Sequence, residues 1–277
     1  MSSILTNNSA MVALQTLRGI NSNLAKTQDE ISTGKSIASA KDNAAVWAIT
    51  KTMEADVDSF KSVGDSLALG QSTVGVARAA SESVTDLLKE MKKLIISSQE
   101  ENVDRTKIQT DLTAMATEIG SIISAAQFNG LNLVNNSETA PVNVLASLDR
   151  ASDGTVTTAN IAITPQNLTA VQTAVAAYDV STAAGAATAL AGIETQLQTS
   201  ITAAANFGSV AKRIEIQSDF VKKLSDAMTS GIGALVDADM EEASARLQAL
   251  QVQQQLATQS LSIANQAPQT LLSLFRG

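Results

Sequence analysis

Asp239-Met-Glu-Glu-Ala-Ser-Ala-Arg-Leu-Gln-Ala-Leu-Gln-Val-Gln-Gln-Gln-Leu-Ala-Thr-Gln-Ser-Leu261 is the most regular stretch of the chain. Within and beyond it, Met240, Ala243, Leu247, Leu250, Gln254, Ala257, Leu261, Ala264, Pro268, Leu271 and Phe275 alternate three and four residues apart. That spacing lays one apolar seam along a helix, of the kind that pairs with a second helix. Gln254 puts a polar group into the seam, a device that fixes register at some cost in stability. Asp239 with Glu242 reads as a capping box, and the acids of the first turn suit the positive end of the helix dipole. Pro268 is expected to kink the helix or end its regular part.

A matching seam stands at the other end of the chain. Ala10, Leu14, Leu17, Leu24 and Ile31 recur with polar Asn21 and Gln28 in the same rhythm. Ser32-Thr-Gly-Lys-Ser36 interrupts it, and Ser39-Ala-Lys-Asp42 restarts a helix as a variant capping box. Beyond it Met53, Val57, Phe60, Val63, Leu67, Val74, Ala77, Val84, Leu88, Met91 and Ile95 form one long stripe. A helix of that extent reaches roughly 65–75 Å. A third helix is expected over 104–126, with Ile108, Leu112, Met115, Ile119 and Ile122 on one face. The middle changes character. Asn129-Gly130 signals a tight turn, and Leu131–Val134, Val142–Leu148 and Val156–Ile163 are β-rich runs that read as a small hairpin region. The Ala- and Thr-rich stretch from Ala170 reads as a loose connection. Helix returns from about Ala189 through Ile193, Leu197, Ile201, Ile214, Val221, Leu224 and Met228, with a break at Gly231-Ile-Gly233.

The layout is nearly palindromic: heptad helix, break, long helices, β tip, long helix, break, heptad helix. Isolated helices are marginal without tertiary packing, so the two ends are expected to meet and to keep apolar surface for other copies. The fold class is mainly α. Long antiparallel helices form a terminal coiled coil, the inner domain (1–35 with 238–277). A helical bundle (36–135 with 185–237) carries a small β-hairpin region (136–184) as the outer part.

Composition narrows the chemistry. The 277 residues carry 19 Lys+Arg against 27 Asp+Glu, a net charge of −8, with no Cys and no His. An acidic chain is poorly suited to nucleic acid, whose phosphates are held by Lys and Arg. Thiol nucleophiles, disulfides, Ser–His dyads and His-based zinc sites are excluded. No run of eighteen apolar residues suggests a membrane span, and the first residues lack a secretory-signal pattern. Asp237, Asp239, Glu241 and Glu242 are better explained by helix capping than by a metal or acid–base site. No enzymatic role, cofactor, metal, nucleic-acid partner or membrane partner is expected. Aromatics supply 3% of the residues, which suits long thin helices more than a thick mixed core.

Three segments carry a resemblance. Ser32-Thr-Gly-Lys-Ser-Ile-Ala-Ser-Ala-Lys-Asp-Asn-Ala-Ala45 resembles the segment joining the first two helices of bacterial flagellins, above all the short flagellins of alphaproteobacteria. Ala126-Gln-Phe-Asn-Gly-Leu131 is similar to the turn closing their N-terminal region, and Ala264-Asn-Gln-Ala-Pro-Gln-Thr-Leu-Leu-Ser-Leu-Phe-Arg276 to their C-terminal end. The similarity spans roughly residues 1–135 and 185–277. It implies a filament subunit for swimming motility, assembled as a homopolymer with identical or sister subunits. It also implies export through the flagellar channel without a cleaved signal peptide, and an extracellular place in the flagellum. A chaperone, the export apparatus, a filament cap and hook-junction proteins are the further partners it implies.

The residues expected to pack the inner domain and drive polymerisation are Leu14, Leu17, Leu24, Ile31, Leu247, Leu250, Leu261, Leu271, Leu274 and Phe275. An ordinary intramolecular core is the alternative reading of the leucines of the C-terminal seam. A solvated face is the default reading of the lysines of the second helix, and ion pairing between subunits is the alternative; by resemblance, Lys89, Met91, Lys92 and Leu94 occupy a patch that in some flagellins meets a vertebrate Toll-like receptor. Lysine stands there in place of a fork-shaped arginine, which argues against receptor activation. A hook–filament junction protein and a soluble helical signalling rod are the alternatives to the filament subunit.

Overall fold

The computed structural model describes residues 7–151 and 153–274, with side chains to Gln266 at the C-terminal end. Among the described residues, six helices and two antiparallel strand pairs follow in order: α1 (Asn8–Thr33), α2 (Ala44–Ser97), α3 (Arg105–Ala125), β1 (Gln127–Phe128), β2 (Leu131–Asn132), β3 (Val142–Arg150), β4 (Val156–Ile163), α4 (Thr169–Ala176), α5 (Ala183–Val236) and α6 (Met240–Leu274). The chain divides into two compact units. A terminal unit contains Met1–Asp56 and Ala227–Gly277; a central unit contains Val57–Asp226.

In the terminal unit α1 and α6 pack against each other. Asn7 opens α1, its side-chain oxygen accepting from the Ala10 amide at 3.1 Å, and Gly34 closes it in the left-handed region at φ 69°. Asp239 opens α6 by accepting from the amides of Glu241 and Glu242 at 2.9 and 3.2 Å. Glu242 pairs with Arg246 and does not complete the capping box. The two chain breaks meet as well. Lys35 and Asp237 form an antiparallel bridge, the Ser36 amide donates to the Val236 carbonyl at 2.7 Å, and the Ala238 amide donates to the Gly34 carbonyl at 3.0 Å.

In the central unit the stripes of α2, α3 and α5 close one core. Leu67, Leu88, Met91 and Ile95 of α2 meet Leu112 and Ile119 of α3 and Ile193, Phe207 and Ile214 of α5, all fully buried or nearly so. The β3–β4 hairpin adds Val144, Ala146, Ile161 and Ile163, inward at alternate positions on each strand. At Gly70 on α2 the hairpin comes close: a Cβ there would stand 2.6 Å from a Val144 methyl. β1 and β2 turn tightly about Asn129 and Gly130, both at positive φ, as the Asn-Gly pair requires.

Inside this apolar core sits a hydroxyl cluster. Thr85 donates to the Ser81 carbonyl at 2.7 Å, Ser200 donates to the same carbonyl at 3.1 Å, and the two hydroxyls lie 2.9 Å apart. All three residues are buried. Each hydroxyl keeps a partner when the other is lost, so Thr85→Val and Ser200→Ala should each cost about 1 kcal/mol. The double variant should cost less than the sum of the two. Urea unfolding of the four chains checks both expectations.

Several expectations meet corrections. Gly231-Ile-Gly233 does not break the returning helix; α5 is continuous to Val236, and the break falls at 237–239. Two glycines cost a helix about 1 kcal/mol each against alanine, which the neighbouring packing of Ile232 and Val236 outweighs. Pro268 does not end α6. Asp42 accepts from the Ser39 amide and hydroxyl, but the helix starts at Ala44, and Asn43 supplies the cap oxygen to the Val46 amide. The connection after Ala170 contains α4, whose Val171 and Val175 are buried one turn apart, and α5 begins already at Ala183. Ile201 lies on the exposed side of α5; Ala203 and Phe207 continue the core stripe in its place.

Candidate assembly surface

The α1–α6 seam is regular. On α1 the covered positions are Ala10, Ala13, Leu17, Ile20, Leu24, Thr27 and Ile31, three and four apart. On α6 they are Ala243, Leu247, Leu250, Gln254, Ala257, Leu261 and Ala264. Leu250 is buried, and Leu17, Leu24, Ile31, Leu247 and Leu261 are half-buried. Met240, which the sequence pattern includes, is exposed, whereas from Ala243 to Ala264 the seam of α6 matches that pattern. That of α1 is rotated from it, because Ala13, Ile20 and Thr27 face α6 while Leu14, Asn21 and Gln28 are exposed. The side chains of Leu271 and Leu274 and all of Phe275 lie outside the described part.

Polar groups cross the seam at three levels. Asn7 donates to the Ala264 carbonyl at 2.7 Å, and Gln254 donates to Asn21 at 2.7 Å. Glu30, nearly enclosed, lies 3.9 Å from both Lys26 and Arg246.

One apolar stripe is left over. Val252, Leu256 and Ile263 of α6 are 55–69% exposed. At 3.6 residues per turn they share the side of the helix that faces away from α1. Met11 and Val12 of α1 are equally bare, and a shallow groove of about 460 Å³ lined by Asn8, Ser9, Val12, Ala13, Ser260 and Ala264 lies beside them. Single exposed apolar residues are ordinary; an aligned row is the signature of a contact surface.

Two matches decide what this arrangement belongs to. Residues 4–139 match the bacterial flagellin N-terminal helical region, and residues 190–275 match the bacterial flagellin C-terminal helical region. The chain belongs to the bacterial flagellin family. It is 40% identical to flagellin FljK of Caulobacter vibrioides over 279 aligned residues, covering 100% of this chain and 99% of that one. It is 39% identical to a flagellin of Brucella melitensis over 283 aligned residues, covering 100% of each. These full-length matches support the role of a filament subunit. A putative flagellar hook-associated protein from Vibrio parahaemolyticus has a similar fold, with a TM-score of 0.51 and 14% identity; 71% of this chain and 100% of that one are covered.

The central unit places the second set of residues. Lys89 is exposed and pairs with Asp86 at 3.0 Å, and Lys92 pairs with Glu194 of α5. Leu94 is half-buried against the core, and Met91 has no exposed surface at all. The part of that patch open to a partner is therefore Lys89 and Lys92 with the edge of Leu94. Among the described residues no group of three or more Asp or Glu is placed to hold a metal, and no helix is long and apolar enough to cross a membrane.

Two carboxylates, one in the segment between α1 and α2 and one early in α2, titrate low. Hydrogen bonds from the Ser39 amide and hydroxyl hold Asp42 below the ordinary value of 3.8. The hydrogen bond from Lys51, with the charges of Lys51 and Lys35, holds Glu54 below 4.5. A lowered pKa means stability that is complete above the ordinary value and fades as the pH falls through the folded one. Residues 39–54 should therefore loosen as the pH drops below about 4, while neutral and alkaline pH leave them unchanged. Hydrogen exchange corrected for its chemical rate checks this, and Asp42→Asn with Glu54→Gln should remove the pH dependence.

Proposed function

We propose that the α1–α6 pair is the polymerising element of an extracellular flagellar filament subunit, an inner domain formed by residues 1–35 and 238–277. The observation that carries this reading is the second apolar stripe of α6, Val252–Leu256–Ile263, bare in the single chain on the side away from α1. A helix with two apolar faces needs two neighbours, and α1 covers one. Identical copies supply the other in an open helical assembly, where every subunit offers the same unsaturated surface. The exposed cation Lys89 and the partly exposed Lys92 add weak polar contacts between copies.

Export through the flagellar channel without a cleaved signal, with a chaperone over the C-terminal helix before release and a cap at the growing end, fits such a subunit. An uncovered apolar stripe has to be shielded until neighbours arrive. Its role is structural, with no reaction assigned. A hook–filament junction role is not favoured, because the full-length relatives named above are flagellins.

Electron microscopy of the purified chain after addition of salt or filament seeds tests the proposal, run beside a chain lacking residues 1–35 and 238–277. Long filaments from the intact chain alone are the expected result. Filaments of equal length from the truncated chain would remove the terminal pair from the mechanism.

A further inference from the structure

Pro268 stands inside a continuous helix, six residues before its end. In an α-helix each carbonyl accepts from the amide four residues on, and proline has no N–H to give. The carbonyl of Ala264 therefore lacks its helical donor. It is the same carbonyl to which Asn7 donates, at 2.7 Å, across 257 residues of sequence. The other half of the Asn7 amide is also occupied: its oxygen accepts from the Ala10 amide at 3.1 Å and starts α1. Both polar atoms of one side chain are thus used, one on each helix.

We propose that Asn7 and Pro268 form a matched clasp that fastens the open end of the α1–α6 pair. The opposite end needs no such device, because the bridge at Lys35 and Asp237 and the bond from Ala238 to Gly34 tie it through the backbone. The open end has no connecting loop, and apart from the half-buried Leu261 its seam residues Ala10, Ala13, Ala257 and Ala264 are small. Alanines bury little apolar area, so packing alone holds this end weakly. A backbone carbonyl freed by proline is a fixed acceptor on α6 that no amide of its own helix competes for. Asparagine can cap α1 with its oxygen and still bring an N–H to that acceptor; Asp caps as well but has no donor, and Ser caps with a shorter side chain whose single hydroxyl must serve both ends. In this role Asn7 is a positioning residue for the seam, and Pro268 acts through what it withholds.

The clasp concerns the pairing of the two helices and stands whether or not the chain polymerises. Hydrogen exchange at the Ala13–Leu17 amides of α1, in the intact chain, reads the opening of this end. Five chains are compared: unaltered, Asn7→Ser, Pro268→Ala, the Asn7→Ser/Pro268→Ala double variant, and Asn7→Asp, a second cap that lacks the donor. Asn7→Ser and Asn7→Asp should each raise the opening constant roughly five- to tenfold, the factor one hydrogen bond is worth. With Pro268→Ala, which returns an amide to Ala264, the same change at Asn7 should alter it less than about twofold. Equal effects of Asn7→Ser in both backgrounds would overturn the clasp, as would amides that are unprotected in the unaltered chain. A chain that failed to form filaments would count against the filament role and leave this comparison standing.

Discussion

A chain carrying Val252→Asp and Leu256→Asp is expected to keep its α1–α6 pair and to lose filament formation. Both side chains point away from α1 and are more than half exposed, so the monomer gives up almost no buried area when they change. In an assembly that covers them, each contributes about 1.5–3 kcal/mol of apolar burial. Losing two such contacts per subunit, and burying charge in their place, should raise the monomer concentration in equilibrium with filaments by more than about a hundredfold. Sedimentation of polymer from monomer measures this, and far-ultraviolet circular dichroism verifies that helix content is unchanged. Gln251→Asp, exposed on the same helix but off the stripe, should polymerise like the unaltered chain. Loss of helix in the double variant would instead make Val252 and Leu256 part of the fold.

The second large effect belongs to the central unit. Phe207 is 1% exposed and ranks among the largest buried side chains, packed where α5 meets the other core helices. Phe207→Ala removes a ring that the helices cannot easily close upon, and should cost about 3–5 kcal/mol. For a unit of this size that corresponds to a fall in Tm of about 10 °C. Calorimetry with urea unfolding checks the size of the change. Ile201→Ala, six residues away on the exposed side of the same helix, should change stability by less than about 1 kcal/mol.

The contrast between those two residues shows where sequence periodicity carries and where it fails. The seam of α6 was readable because Leu247, Leu250 and Leu261 alternate with charged and glutamine positions, and the covered side chains follow that row. On α1 the same periodicity favours Leu14 over Ala13, Asn21 over Ile20 and Gln28 over Thr27. The larger leucine dominates a pattern whose true seam is partly alanine and threonine. Around Phe207 the sequence Ala203-Ala-Ala-Asn-Phe-Gly208 has too little contrast to mark a face, so the ring was not singled out. α4 escaped for the same reason: Val171 and Val175 are one turn of signal between weakly polar neighbours, and Asn167, whose side chain accepts from the Ala170 amide, was the one local start signal. The extent of α5 past Gly231 and Gly233 was set by packing that no local propensity reports. The polar links could not have been read from spacing at all. Thr85 with Ser200 and Asn7 with Ala264 are brought together across more than a hundred residues, by residue types common throughout the chain. The overall class, by contrast, followed from two terminal seams flanking long stripes, because a heptad row has few other uses.

The most direct test is a side-chain-resolution reconstruction of filaments assembled from the intact chain. The expected result places α1 and α6 paired as described here, with Val252, Leu256, Ile263, Met11 and Val12 covered by the same helices of neighbouring copies. Filaments held together by the central units alone, with that stripe left facing water, would contradict the assignment of the terminal pair as the polymerising element.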